Sequence, residues 1–348
     1  MKDRLLARIA REGPIPFEEF MREALYGDGG FFASSELRSV KGGDFLTSPE
    51  VSPLFGETVA AFVASERERI GEPFMLVEVA GGSGSLLRAL LESMAVETQA
   101  VEASPAARAA ISQILGADRV HATLDSLPSP LRGVVVANEL IDNLPMAIAQ
   151  LTAAGWRERW VGADGPRLEF IDAPVRPAVA AWLAEFSGPV DVGGWVEVQL
   201  EAGVWIESTL RAMSAGSLLL FDYGDTAENL APRRADGTLR TYRSHHLGPH
   251  PLDEPGATDV TADVNFTALE AAAKRGGAEV EVVRQDDWLF EWGLRDRISG
   301  LRRRELDLAR GGDQMERLRV RTVKQEAETL VNPRGLGDFR VLVARLTG

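Results

Sequence analysis

The sequence predicts an α/β protein built on a doubly wound parallel sheet, and three observations predict it. Between residues 74 and 137, short apolar runs alternate with helical patterns in a β-α-β-α-β rhythm. The runs are continuously apolar, as strands covered on both faces are. The first of them ends in an acidic residue followed by glycines, Leu76-Val-Glu-Val-Ala-Gly-Gly-Ser-Gly84, where a strand hands over to a helix. Right-handed crossovers follow from that rhythm.

Residues 1 to about 70 read as helices broken by glycine and proline: 5–9, 17–25 and, after the loop 27–41, 53–70. In the last of these Leu54, Phe55, Val59, Phe62 and Val63 recur at roughly helical spacing. Residues 74–80 read as the first buried strand, 85–94 as a helix, and 99–102 as the second strand. Pro105 opens a helix, as a first-turn proline should. The third and fourth strands are expected at 119–122 and 133–137. The rhythm then breaks. Segments 146–152, 156–161 and 167–171, separated by Ala-Ala-Gly and Asp-Gly-Pro, predict an inserted antiparallel meander. Helical patterning returns at 177–186 and 202–213, and 217–223 is a fifth core strand. A Gly/Pro/His-rich loop to about Asp259 precedes a helix at 266–275 and a strand at 278–283. Residues 295–330 form a charged helical excursion with ten Lys/Arg, Arg302-Arg-Arg304 among them. It reads as a solvated helix face, with partner docking the lesser alternative. The last strand is expected at 339–346. The implied organisation is a helical cap (1–72), a core (73–144, 199–284 and 338–348), an insertion (145–198) and the excursion (285–337).

At 348 residues and 45% hydrophobic, the chain can bury a full core as one elaborated domain or two coupled ones. Its 52 acidic and 38 basic side chains give a net charge of −14 and a pI near 4.9. Such a surface repels nucleic-acid backbones and anionic lipid, so neither nucleic acid nor membrane is an expected partner, and a cationic protein suits it better. The absence of cysteine excludes disulfides, thiolate zinc sites and a cysteine nucleophile. Of four histidines, His245, His246 and His250 lie close together, but no carboxylate stands at ligand spacing on a helix, so a polar loop is the reading and no metal is expected. The amino-terminal residues lack a signal-peptide core and no run reaches membrane-spanning length. A cytoplasmic, bacterial protein is the expectation. Oligomeric state is not set by the sequence, and a homodimer is left open.

Gly81, Gly82 and Gly84 let the backbone approach a ligand, and the helix N-terminus beyond them presents donors for a carboxylate. Glu102 ends the second strand eighteen residues past Gly84, a position from which a carboxylate accepts both hydroxyls of a ribose. Asp125, after the third strand, could take the adenine amino proton. Each acid alone reads as a surface or capping residue; in register they describe a nucleotide-type pocket. A dinucleotide-binding dehydrogenase would want a glycine where Leu87 stands and no acid beside the pyrophosphate. Glu78 sits just there. A carboxylate at that point repels phosphate and suits the ammonium of a methionine moiety, so the residues favour S-adenosylmethionine.

Further segments are more specific: Gly43-Asp-Phe-Leu-Thr-Ser-Pro-Glu50, Leu54-Phe-Gly-Glu57, Ala137-Asn-Glu-Leu-Ile-Asp-Asn-Leu-Pro145, Phe221-Asp-Tyr-Gly224, Gly237-Thr-Leu-Arg240, Pro255-Gly256 and Asp259-Val-Thr261. With these and the glycine turn the sequence resembles the MidA-like methyltransferases, whose mitochondrial members act in respiratory complex I assembly as protein arginine methyltransferases. The resemblance runs from about Pro16 to Leu346. It implies a seven-stranded, Rossmann-like class I methyltransferase sheet with its last strand antiparallel, an amino-terminal helical cap and an inserted substrate-recognition region. It also implies that Gly82, Gly84, Glu102 and the Asn138–Glu139 turn contact the cofactor, with Thr47, Ser48 and Glu50 roofing the active site. Two departures stand out. The family turn usually reads Glu-Leu-Gly-Pro-Gly-Arg-Gly, so Ala80 replaces its first glycine and Gly81 its proline. Where the family commonly has His-Val-Asp-Phe, this chain has Asp263-Val-Asn-Phe266.

A sulfonium methyl is already activated, so the protein must mainly hold the acceptor in place and exclude water. An arginine acceptor stays protonated at neutral pH, and carboxylates must orient its guanidinium and receive a proton. Glu139 and Asp142, three residues apart beyond the fourth strand, are the expected pair, with Glu50 supporting from the cap. The competing reading makes Asp142 a turn cap and Glu50 the cap of the helix at Pro53. Asp222, Tyr223 and the 241–246 loop lie on the same edge and either line the acceptor channel or merely end a buried strand. The expected partner is a protein bearing an arginine. The alternatives are a non-catalytic assembly factor and a small-molecule O- or N-methyltransferase.

Overall fold

The computed structural model describes residues 1–34, 37, 47–243, 246–311 and 313–347. The expected apolar runs become the strands of one seven-stranded sheet. In chain order these are β1 (Met75–Val79), β2 (Glu97–Val101), β3 (Val120–His121), β4 (Leu131–Asn138), β5 (Met213–Asp222), β6 (Glu279–Arg284) and β7 (Arg340–Leu346). Their order across the sheet is β3-β2-β1-β4-β5-β7-β6. The pairs from β3 through to β5 are parallel, and β7 runs antiparallel to both of its neighbours. The order reverses between β1 and β4, and ligands of doubly wound sheets bind at the carboxyl ends beside that reversal.

Helices cover both faces. On one face Leu76, Val134, Val136, Phe221 and Val341 pack under helix Pro53–Ile70 and under helices Gln285–Glu291, Leu294–Ala309 and Gln314–Leu330. On the other, Val77, Val135, Leu218, Leu220 and Leu342 meet helices Leu200–Ala212 and Phe266–Arg275. The cap expected over 1–72 therefore stops short: Pro53–Ile70 has the expected bounds but lies on the sheet as a core layer. Within that helix, a Cβ built on Gly56 would fall 2.4 Å from the Ala89 Cβ of helix Ser85–Ser93. Gly56→Ala is expected to lose about 1–2 kcal/mol net, overpacking outweighing the gain in helix propensity, as a lower denaturant midpoint would report.

The inserted meander forms as expected over Ala147–Thr152, Gly155–Asp164 and Arg167–Ala173. Two strands too short to carry a period, Ile15–Pro16 and Trp195–Val198, extend it to a five-stranded antiparallel sheet. Phe17, Phe20 and Met21 of helix Phe17–Tyr26 pack onto its Ile148, Val161 and Leu168, so cap and insertion share a core. The segment expected as a loop up to Asp259 holds a three-stranded sheet of Arg240–Arg243, His246–Leu247 and Asp259–Thr261. Its polar strands, such as Arg-Thr-Tyr-Arg, carry no apolar alternation to reveal them.

Helices Leu294–Ala309 and Gln314–Leu330 pair with each other, and much of their charge is neutralised locally, as in Arg302–Glu328 at 2.8 Å and Lys324–Glu305 at 2.6 Å. Among the described residues no helix is long and apolar enough to cross a membrane, and no cluster of His, Cys, Asp and Glu could hold a metal. His250 sits edge-on to Phe170. His245 and the stretch Gly43-Asp-Phe-Leu46 lie outside the described residues.

Candidate active site

A cavity of about 880 Å³ opens at the carboxyl ends of β1, β2, β4 and β5, within the size range of small-molecule sites. One end is built by the glycine turn. Gly82 and Gly84 take φ of 53° and 76°, in the left-handed region that glycine reaches without strain, and Gly84 caps helix Ser85–Ser93. A Cβ on Gly81 would lie 2.9 Å from Glu78 Cδ and 3.1 Å from Ile111 Cδ1, so a side chain there would displace the ends of both side chains, which glycine leaves in place. That carboxyl is 2% exposed, and its Oε2 has no hydrogen-bond partner. Burial, with the negative charge of Glu102 added, pushes it up to about 8. Glu102 itself accepts the Ser104 N–H (2.8 Å) on Oε1 and the Gly82 N–H (3.1 Å) on Oε2. The second bond ties the end of β2 to the glycine turn and fixes where the acid stands. Burial raises the Glu102 carboxyl despite these donors.

The roof is a short helix, Ser48–Val51, closed by a capping box between Thr47 and Glu50. Thr47 and Pro49 face the cavity. Glu50 is 7% exposed and accepts the Ser83 hydroxyl at 3.1 Å, and Ser48 accepts from Gln285 Nε2 at 3.2 Å. Both lie behind the wall. Glu50 thus braces the roof against the glycine turn instead of contacting an acceptor, and Ser52 caps helix Pro53–Ile70 in its stead.

At the opposite end β4 runs out into Asn138 and Glu139, and Glu139 takes a left-handed φ of 51°. Its amide donates to the Phe221 carbonyl (2.8 Å), and Asn138 Nδ2 donates to its carboxylate (3.2 Å). Withdrawal from water and the nearby Asp142 push the Glu139 carboxyl up to about 8. Asp142 is 4% exposed on the turn Ile141–Asn143. Its Oδ2 accepts the hydroxyls of Thr261 (2.7 Å) and Tyr223, while its Oδ1 is buried without a partner. Burial raises this carboxyl also.

Asp222 shapes the turn. It accepts the backbone N–H groups of Ile141 (2.9 Å), Asp142 (3.3 Å) and Tyr223 (2.9 Å), so it is a fully buried clamp and not a channel residue. Sequence reasoning missed Tyr26, which reaches from the cap to donate to the Asn143 carbonyl (3.2 Å), and Asn143, which donates to Asp259 (2.9 Å). It also missed Trp205 and Thr261. Asn143 and Thr261 lie inside motifs quoted above, but a motif does not say which distant element it meets, and no local pattern marks Tyr26 or Trp205.

A family model described as S-adenosyl-L-methionine-dependent methyltransferase matches residues 57–283. The chain belongs to that family. It is 30% identical to protein arginine methyltransferase NDUFAF7, mitochondrial, of Xenopus tropicalis, over 88% of this chain and 78% of the relative. It is 28% identical to the Homo sapiens protein of that name, over 96% and 80%. A crystal structure of a COG1565 superfamily member from Burkholderia thailandensis bound to S-adenosyl-homocysteine superposes with a TM-score of 0.88 at 29% identity, covering 99% of this chain and 91% of that one.

The methyltransferase cofactor, S-adenosylmethionine, fits the residues at the glycine end. The unpartnered Oε2 of Glu78 is an acceptor for the methionine ammonium, and the free lone pairs of Glu102 suit ribose hydroxyls. Asp125 does not join them. It is exposed on the short turn Leu124–Ser126, whose neighbours Thr123 and Leu124 face the cavity instead. Gly84 acts from behind, where its Cβ-free backbone clears Ile114.

The two departures from the family pattern have structural accounts. Ala80 keeps φ at 57°, the left-handed conformation its glycine counterpart would favour, at a strain of about 1 kcal/mol. Ala80→Gly is expected to stabilise the methyltransferase by about 0.5 kcal/mol after the entropy of glycine is offset, read by denaturant unfolding, with cofactor affinity undiminished. Asn265 caps helix Phe266–Arg275 through Ala268 N–H (3.3 Å) and donates to the Phe186 carbonyl (2.9 Å), so it supports the fold and does not meet the substrate. Asp263 is in the cavity wall, held between Arg233 and Arg240.

Proposed function

We propose that the protein methylates the guanidinium of an arginine in a protein substrate. The supporting observation is the carboxylate pair at the β4 end of the cavity: a buried Asp142 oxygen without a partner stands beside a Glu139 carboxyl that burial and like charge push up to about 8 in the absence of a bound cation. A buried acid raised further by a neighbouring acid is relieved by a cation carrying several N–H donors. The relatives named protein arginine methyltransferases support the same reading.

When bound, S-adenosylmethionine supplies a methyl group activated by its sulfonium. Asp142 and Glu139 hold the planar guanidinium so that one nitrogen faces that methyl. An acceptor nitrogen that gained the methyl would have to shed one proton, and Glu139 is the residue that would receive it. A carboxyl pushed up to about 8 is a better proton acceptor at neutral pH than an ordinary one. The Asn138–Pro145 turn and the Thr47–Pro49 roof line the reacting end.

Incubating the protein with methyl-labelled cofactor and extract proteins, followed by acid hydrolysis, tests the reading. Labelled methylarginine is the expected product. Label on lysine, on carboxyl groups or on small molecules, or no label at all, overturns it. The rate should also fall on the acid side between about pH 6 and 9, because only ionised Glu139 can hold the cation and take its proton. Bound cations draw that limb below the free-protein value of about 8, and Glu139→Gln should flatten it.

A further inference from the structure

Both side-chain hydroxyls that reach Asp142 converge on the same oxygen. Thr261 Oγ1 donates to Oδ2 at 2.7 Å, the Tyr223 hydroxyl donates to the same atom, and the two hydroxyls are within hydrogen-bonding reach of each other. Oδ1 receives nothing, although it is buried. A carboxylate accepting two donors on one oxygen cannot spin freely about its Cβ–Cγ bond, so the idle oxygen has a fixed direction.

The Tyr223 ring is itself held. The Arg240 guanidinium lies over its face at 5.5 Å from the ring centroid, and Phe339 packs against it with ring centroids 5.5 Å apart. Arg240 is bound by Asp263, whose side chain is only 4% exposed and whose backbone N–H donates to Thr238 Oγ1 at 3.1 Å. Asp263 stands where the family pattern has histidine, so the anion that seats Arg240 belongs to this chain's own version of the wall.

We infer that Tyr223 and Thr261 are positioning residues for methyl transfer: their hydroxyls saturate one oxygen of Asp142 and thereby reserve the other for the acceptor, with Arg240 and Asp263 seating the tyrosine. This rests on Asp142 meeting the acceptor, as proposed above. Tyr223 lines the cavity wall, and in this scheme neither hydroxyl takes part in the bonds made or broken. Their contribution is orientation, which matters because a displacement of about 1 Å at a reacting group can cost on the order of 100-fold in rate.

The test compares Tyr223→Phe, Thr261→Val, Thr261→Ser and Asp142→Asn in the full chain. Initial rates of label transfer from S-adenosylmethionine to extract proteins are measured, with S-adenosylhomocysteine affinity by calorimetry and folding by thermal melts as controls. Tyr223→Phe and Thr261→Val should each lower the rate roughly 10- to 100-fold, and together more than either alone, with cofactor affinity unchanged. Thr261→Ser, which keeps the hydroxyl but loses a methyl, should recover most of the rate; a merely structural role for Thr261 would not be rescued in this way. If Asp142→Asn abolishes transfer while Tyr223→Phe and Thr261→Val keep rates within about 2-fold of the parent, the positioning inference fails and the acceptor reading stands. If Asp142→Asn itself transfers normally, both fail together. Should Thr261→Val not fold, the Tyr223→Phe and Thr261→Ser pair decides the matter.

Discussion

Glu139→Gln should lower methyl transfer roughly 100- to 1,000-fold while S-adenosylhomocysteine affinity stays within about 3-fold of the parent protein. The shape is kept, but the charge that holds a guanidinium and the site that takes its proton are both lost. The new amide also brings a second N–H₂ group against Asn138 Nδ2, which now donates to the Glu139 carboxylate at 3.2 Å. Asp142→Asn should cost a similar factor by a different route. The oxygen of the new side chain can still accept from Tyr223 and Thr261, which turns its N–H₂ group toward the space where Oδ1 now stands idle. A donor pointed at a guanidinium repels it. Both outcomes are read from initial rates against calorimetric affinity on the same preparations.

Glu78→Gln separates stability from function in the other direction. In the cofactor-free protein this carboxyl is raised from 4.5 to about 8. Below 4.5 the group is protonated whether the chain is folded or not, so it contributes no pH dependence. Between 4.5 and about 8 the unfolded chain releases the proton and the folded one retains it, so stability is lost as pH rises, at about 1.4 kcal/mol per pH unit. Glutamine removes that loss. The variant should therefore gain on the parent by roughly 3 kcal/mol between pH 4.5 and 7, whatever fixed penalty its own buried amide carries. Denaturant unfolding of both proteins across that range shows it. S-adenosylhomocysteine should bind the variant about 10- to 100-fold more weakly, because its ammonium loses a charged acceptor. At neutral pH the buried group therefore keeps its proton until a cationic ligand stabilises the ionised form.

Much of this architecture was legible because doubly covered strands announce themselves as unbroken apolar runs. Val77, Val79, Val134 to Val136 and Leu218 to Leu220 have both faces of the sheet to fill, and they do. Helix bounds were legible where a cap or proline states them, as at Pro53, Pro105 and Pro177. What that helix at Pro53 packs against was not, since periodicity reveals that a face is buried but not its partner. Short polar strands escaped for the converse reason: Arg240–Arg243 pairs through its backbone and shows no apolar rhythm.

In the site, Glu78, Glu102, Glu139 and Asp142 were found because motif spacing places them at strand ends, and the fold brings all four to one cavity. Asp222 and Asp142 could not be told apart by type. The structure distinguishes them by donors: Asp222 accepts three backbone N–H groups and is spent, whereas Asp142 keeps an oxygen in reserve. Asp125 was misplaced because spacing does not say which residue of the short turn Leu124–Ser126 faces the cavity. Glu50 was read as an acid facing the acceptor, but the capping box that its Thr-Ser-Pro-Glu spacing also permits had first claim on it.

Titration of the parent protein with S-adenosylhomocysteine at pH 7, by calorimetry in two buffers of different ionisation heat, bears on the cradle at Glu78 and Glu102 more directly than any substitution. The account expects one site per chain and the release of most of one proton, because Glu78 starts with its carboxyl at about 8 and must ionise to meet the ammonium. A folded protein that gives no heat of binding at millimolar ligand, or one that binds without releasing a proton, would contradict it.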